Sequence, residues 1–355
     1  MMTPRNGKSS IVFGRIITAL ALVLIPSVIF AGTVLTLNQI NIERFPEVHV
    51  YLTVADERGN PVKGLGASHF LVQEDGGAVR IQSVSPLAQG EEPLSVVLAI
   101  DRSGSMRGEA IKDAKQAAID FLKEMRGIDR VGVVSFDDTV TVIARLATDK
   151  GPLAKDIQKI SVGKDTALND AVKRSLQLLA PFTGRRAVVV LTDGKENRSK
   201  ATREEIIREA VRSGVPIITV GLGKETDAAA LVTMAARSGG RAVFAQTSGE
   251  LSRLYQAIAR QLVNQYRVTL QSRKSLDNGW HRLRVAVKTA KGRAEVERLY
   301  LGTLRPTLAT GALEEYRTGM NWLYLLATIL CALVVALTIA IIVIAVKRSK
   351  ENENG

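Results

Sequence analysis

The 355-residue chain has a single cysteine, Cys331, and three histidines, His49, His69 and His281. One cysteine forbids a disulfide within the chain and any cysteine-based metal centre. Neither the cysteine nor a histidine falls between residues 92 and 264. That stretch therefore lacks the side chains that most often serve as a nucleophile's base. Aromatic residues make up only 5% of the chain, and no Lys/Arg cluster is interleaved with them. The formal charge of +13 thus lacks the footprint of a nucleic-acid-binding surface. What is left for the excess charge is an anionic membrane surface or solvated faces. With 46% hydrophobic and 23% charged residues, the chain has the composition of a folded protein with room for two or three small domains.

Long apolar runs sit near both ends. Residues 1–15 carry Arg5, Lys8 and Arg15 and no acid, and Ile16–Leu37 is then 22 residues without a charge. That length suffices for a spanning helix, kinked at Pro26. The alternative is a cleaved leader ending at Ala31, for which Ile29 is a poor fit three residues before the cut. Trp322–Val346 is 25 uncharged residues followed by Lys347, Arg348 and Lys350, so a buried core helix is a weak alternative to a second span. The basic flanks place both termini in the cytoplasm and the intervening 38–321 outside it, as on a bacterial inner membrane facing the periplasm or the exterior.

Between these runs the hydrophobic pattern changes twice. Strand candidates lie at 48–54, 69–74 and 78–84, followed by the linker PLAQGEEP at 86–93. From Leu94 strands and helices alternate. The strands are 94–100, 131–136, 187–192, 216–222 and 241–245, and the edge strand 139–144 is turned back by Asp137-Asp138. The helices are about 107–126, 152–160, 167–179, 203–213, 227–238 and 248–263. This alternation predicts a doubly wound, mostly parallel α/β sheet with an antiparallel edge strand. Strands return at 266–271, 282–288 and 294–301. Six flanking strands are enough for a small β-sandwich that neither flank could make alone, with the α/β domain inserted in it; two separate β fragments are the alternative. The expected order is a cytoplasmic segment 1–15, a span or signal anchor 16–37, β-domain 38–91, α/β domain 92–264, β-domain 265–305, spacer 306–321, span 322–346 and tail 347–355. Residues 267–305 hold ten basic and three acidic residues, a net +7. That excess reads as a solvated face or as attraction to anionic headgroups.

Three loops should meet at the carboxyl edge of the α/β sheet, where open sheets bind their ligands. They are Asp101-Arg102-Ser103-Gly104-Ser105, Lys164-Asp165-Thr166-Ala167-Leu168 and Leu191-Thr192-Asp193-Gly194. Any one of their oxygen side chains could be only a helix cap. Together they offer oxygen and no nitrogen or sulfur, which suits a hard cation, Mg2+ above all, with Mn2+ or Ca2+ as alternatives. Asp-x-Ser-x-Ser, a Thr in DTAL and an Asp in TDG resemble the metal-ion-dependent adhesion site of von Willebrand factor type A domains, over about residues 92–264. The resemblance implies the doubly wound fold. It also implies hydroxyl ligation by Ser103, Ser105 and Thr166, with Asp101 and Asp193 acting largely through metal-bound water.

A cation held by neutral hydroxyls keeps an open position and an uncompensated charge, so the expected function is a membrane-anchored hook for a Glu or Asp of a partner protein rather than an enzyme. The alternatives are a scaffold or channel-associated subunit without metal-dependent binding, and a metal-dependent hydrolase. For the hydrolase, Ser103 stands where haloacid-dehalogenase-like phosphatases want a second Asp. Lys195, Glu196, Asn197 and Arg198 follow Asp193 and either select the partner or form a solvated loop.

Overall fold

The computed structural model describes residues 32–90 and 92–303. In chain order the elements are β1 (Val34–Arg44), β2 (Glu47–Ala55), β3 (Phe70–Glu74), β4 (Gly77–Ala78), β5 (Ile81–Pro86), β6 (Leu94–Asp101), α1 (Glu109–Glu124), β7 (Arg130–Phe136), β8 (Val140–Ala147), α2 (Lys150–Gln158), α3 (Leu168–Leu179), β9 (Arg185–Thr192), α4 (Arg203–Ser213), β10 (Ile217–Leu222), α5 (Ala228–Ser238), β11 (Ala242–Ala245), α6 (Leu251–Val263), β12 (Tyr266–Gln271), β13 (Trp280–Thr289) and β14 (Gly292–Leu301).

The middle of the chain forms a six-stranded sheet in the order β11-β10-β9-β6-β7-β8, parallel except for β8, which runs antiparallel to β7. Strands buried on both faces need continuous apolar sequence, and every residue of β6, β9 and β10 is buried. Along β6 alternate residues serve opposite cores. Val96, Leu98 and Ile100 pack with α1, α2 and α6, whereas Val97 and Ala99 pack with α3, α4 and Leu231 of α5. From the central pair the chain continues to β7 on one side and to β10 on the other, so the carboxyl ends of β6 and β9 flank the switch point where ligands bind in such sheets.

The flanks combine into two four-stranded sheets, ordered β1-β2-β12-β5 and β14-β13-β3-β4. Each sheet draws strands from both sides of the α/β segment, and their inner faces share one core that includes Leu37, Val50, Val72, Val268 and Val285. The two connectors to the α/β domain are bonded to each other, Leu87 N donating to Gln265 O at 2.8 Å. Arg126, at the end of α1, grips the incoming connector by donating to the Leu87, Gly90 and Glu92 carbonyls. Fully buried Asp129 holds that guanidinium and also accepts from Leu94 N at 2.9 Å.

Strand β1 corrects one expectation. Val34–Leu37, assigned from the uncharged run to a spanning helix, lie in a β-strand. Leu35 and Leu37 enter the sandwich core, and the alternate residue Thr36 lines a cavity against the α/β domain. A run without charge carries no period by itself, and here its period is two. The rest of that segment, up to Ala31, and the second apolar segment 322–346 lie outside the described residues, as do the spacer and both terminal segments. Among the described residues no helix is long and apolar enough to cross a membrane.

Part of the basic excess of the last β segment is met by ion pairs, three of them to acids earlier in the chain. Arg267 pairs with Glu92, Lys274 with Asp75, Lys291 with Asp56, and Arg282, Arg284 and Arg293 with Glu295 or Glu297. Only the three pairs to acids outside the segment lower its net +7, to +4, so the headgroup-attraction reading keeps more than half of its charge.

Candidate metal site

Asp101 is the last residue of β6, fully buried. Its Oδ1 accepts from Ser103 N at 2.8 Å, which folds the loop back on itself, and its Oδ2 accepts from Thr192 Oγ1 at 2.6 Å, across the strand boundary. Burial pushes its carboxyl up to about 6, against the lowering effect of those donors. Asp193, one residue past β9, is also raised by burial and accepts from Ser105 Oγ at 2.7 Å. Ser105 Oγ lies 3.1 Å from Ser103 Oγ. The first and third loops are therefore joined through a continuous chain of oxygens.

The second loop arrives through backbone bonds. Gly104 N donates to Lys164 O at 2.7 Å, and Gly163 N donates to Arg102 O at 2.6 Å. Arg102 also donates to Asp137 Oδ1 at 2.9 Å, and Ala167 N to Asp137 O at 2.7 Å, so the β7–β8 turn buttresses the same loop. A side chain at Gly163 would collide with the Asp137 carboxylate. Thr166 is 4% exposed, its amide donates to Asn197 Oδ1 at 3.0 Å, and its carbonyl accepts from Asn197 N. Gly194 stands between the loops. A Cβ there would lie 3.1 Å from Thr166 Oγ1 and 3.8 Å from Ser105 Oγ, within the space those hydroxyls share.

Asp101, Ser103, Ser105, Thr166 and Asp193 are thus brought to one place at the carboxyl edge. The set fits a hard divalent cation in donor type: three hydroxyls and two carboxylates whose ionised forms are disfavoured by burial. Thr192, which the loop pattern did not single out, and Asn197, expected to select a partner or lie in a solvated loop, are positioning residues. Thr192 reads as the end of an apolar strand, and Asn197 acts on a loop 31 residues away. Glu196 has a structural task on this rim. It accepts from Asn169 N at the start of α3 and from Arg198 N and Ser199 N in its own loop. Arg198 lies 3.7 Å from the Asp165 carboxylate of the second loop. The three histidines all lie in the sandwich.

A model of the von Willebrand factor type A domain matches residues 95–257. Inter-alpha-trypsin inhibitor heavy chain H4 of Sus scrofa is 26% identical over 225 residues, covering 55% of this chain and 24% of the relative. Heavy chain H1 of Homo sapiens is 29% identical over 170 residues, covering 42% and 18%. The chain therefore spans about a quarter or less of the length of these relatives. Among solved structures, von Willebrand factor type A from Catenulispora acidiphila aligns with a TM-score of 0.47 and 12% identity over 78% of this chain and 75% of that one. Residues 95–257 of the chain are a von Willebrand factor type A domain.

Proposed function

We propose that the type A domain is a divalent-cation-dependent binding module that docks an acidic side chain of a partner protein. The observation that carries this reading is the meeting of five oxygen side chains from three loops at one sheet edge. Ser103, Ser105 and Thr166 would hold the ion through their hydroxyls, and Asp101 and Asp193 would supply the negative charge. Mg2+ fits first, with Mn2+ or Ca2+ as alternatives, because oxygen-only donors favour hard cations. The bound ion supplies a Lewis-acidic position that a Glu or Asp of the partner completes with a charge-assisted contact. This chain's residues do the rest. Thr192 and Ser103 N fix the Asp101 carboxylate, Asn197 fixes Thr166, and Gly194 keeps the rim open.

A binding module rather than an enzyme is favoured because the site offers no base beside its hydroxyls other than the two carboxylates that the ion would use. Anchorage by the part of the run 16–37 that precedes Gly32 and by 322–346, with the domains on the non-cytoplasmic side of a cell envelope, accords with the charge pattern of the two segments' flanks. Crosslinking of the full chain in native membranes tests the reading. A partner lost with EDTA and with Asp101→Ala is expected. Partner capture that persists through both treatments contradicts it.

A further inference from the structure

In the sandwich sheet β14-β13-β3-β4, Val72, Leu283, Val285, Val287, Ala294 and Tyr300 enter the shared core. Side chains alternate along a strand, so their neighbours stand on the opposite, outer face. Exposed apolar residues scattered singly need no explanation. Here, however, the three most exposed large hydrophobics among the described residues, Trp280 at 58%, Leu71 at 56% and Leu299 at 52%, all belong to that one face. Trp280 is opposite Leu301 and Leu299 is opposite Arg282, which makes Trp280 and Leu299 diagonal neighbours. They mark the end of the sheet from which the chain runs on towards 322–346.

On the same face three guanidiniums share two carboxylates. Arg282 lies 3.3 Å from Glu297, Arg284 reaches Glu297 at 2.9 Å and Glu295 at 3.2 Å, and Arg293 is 3.4 Å from Glu295. The bases stand outermost: Arg282 is 60% exposed against 14% for Glu297, and Arg293 is 59% exposed against 37% for Glu295. Lys288 adds a fourth exposed base. The face therefore presents an excess of positive charge above its acids. An open groove of about 250 Å³, lined by Leu71, Gln73, Arg284, Ala286, Arg293 and Glu295, runs between two of the arginines.

We propose that this face docks flat on an anionic phospholipid bilayer, with Trp280 and Leu299 among the headgroups and Arg284, Arg293 and Lys288 on lipid phosphates. The proposal rests on the anchorage by 322–346 inferred above. Tryptophan favours the membrane–water interface, where its ring is half in apolar surroundings and its N–H stays wet. Bases beside it gain from the negative surface potential of anionic lipid, which reaches about a Debye length into solution. The tether supplies the encounter. Residues 304–321, fully extended, reach at most roughly 60 Å, so an anchored chain keeps this face close to the bilayer at high effective concentration. An acidic protein would match the bases but gives no reason for the Trp280–Leu299 pair to sit where the chain turns towards its anchor.

The test uses the full chain carrying Trp322→Phe, which leaves Trp280 as its one tryptophan. It is reconstituted in vesicles of phosphatidylcholine alone, or of phosphatidylcholine and phosphatidylglycerol in equal amounts. Flotation with phosphatidylcholine vesicles after a carbonate wash reads anchorage by itself. With phosphatidylglycerol present, Trp280 emission should move to shorter wavelength and be quenched by brominated lipid, and added salt should reverse both. Arg284→Gln combined with Arg293→Gln should abolish the shift. Emission that is the same in both lipids and at all salt concentrations overturns the proposal and leaves anchorage standing. A shift caused by a polyglutamate peptide but not by phosphatidylglycerol assigns the face to an acidic protein and also overturns it. If the chain washes off phosphatidylcholine vesicles, the anchorage reading fails, and binding from solution then decides. Flotation with phosphatidylglycerol vesicles supports the docking face, and its absence overturns it.

Discussion

The two edges of the α/β sheet are built on opposite plans, although the same strands supply both. At the amino edge the chain spends charged groups on holding. Asp129 takes the start of β6 and the Arg126 fork, and that fork ties down the connector from the sandwich. At the carboxyl edge β6 and β9 end in Asp101 and Thr192, and the bonds there point inward at a cluster of oxygens. Both carboxylates of that cluster are raised by burial rather than lowered by a basic partner, and among the described residues no Lys or Arg pairs with either. The Arg126–Asp129 pair at one edge is matched; the other edge keeps negative charge in reserve. Binding sites are commonly made at the cost of local stability, and this sheet separates the two tasks by one strand length.

Substitutions at the two edges should therefore behave differently. The largest loss of stability is expected at the amino edge. Asp129→Ala strands the Arg126 guanidinium and the Leu94 amide, at a cost of about 3–5 kcal/mol, read by urea unfolding followed by circular dichroism. At the carboxyl edge the sign reverses for the metal-free protein. Asp101→Asn removes a carboxyl that the fold disfavours in its ionised form, and should raise stability at pH 7 by about 1 kcal/mol while abolishing cation binding. A drop in stability of the size expected at Asp129 would erase the distinction between the edges. Gly194→Ala should leave the fold intact, because the nearest atoms to the new methyl belong to the side chains of Thr166 and Ser105, not to backbone. Its cation affinity should fall about tenfold, equivalent to about 1.4 kcal/mol, measured by titration calorimetry.

The smallest effect belongs to the sandwich, away from both edges. Buried His281 lies between Asp75 and Asp277, at 2.9 and 3.1 Å, and its pKa is raised chiefly by the bond to Asp75. A histidine raised in the folded state stabilises fully below its unfolded value of about 6.5, and that contribution is lost as pH rises through the folded value. Tm should thus fall by about 2–4 °C on the alkaline side of that range. His281→Gln should remove the dependence, leaving the two edges unaffected.

Much of this was legible in the residues. Strands buried on both faces announce themselves as apolar runs, so β6, β7, β9 and β10 were found within about two residues. The five oxygen side chains were legible because loops at the carboxyl ends of such strands have a fixed place in the fold. Pairwise support was not. Thr192 and Asn197 reach partners 91 and 31 residues away, and no local pattern marks a residue for a distant carboxylate. The same limit hid three of the ion pairs of the last β segment, because Asp56, Asp75 and Glu92 lie far upstream of the bases they meet. Strand β1 was missed for a different reason. Its start shares an uncharged composition with a spanning helix, and only the burial of alternate residues separates them.

Five oxygen-bearing side chains at the carboxyl edge are held to form one cation site. Titration calorimetry of Mg2+ into the metal-stripped, detergent-solubilised full chain tests it most directly, with Ser105→Ala and Thr166→Ala beside the unaltered protein. One equivalent of Mg2+ bound by the unaltered chain, with binding lost in both variants while their unfolding curves stay close to its own, is the predicted result. Equal Mg2+ binding by all three proteins, or none by the unaltered chain, would contradict the account.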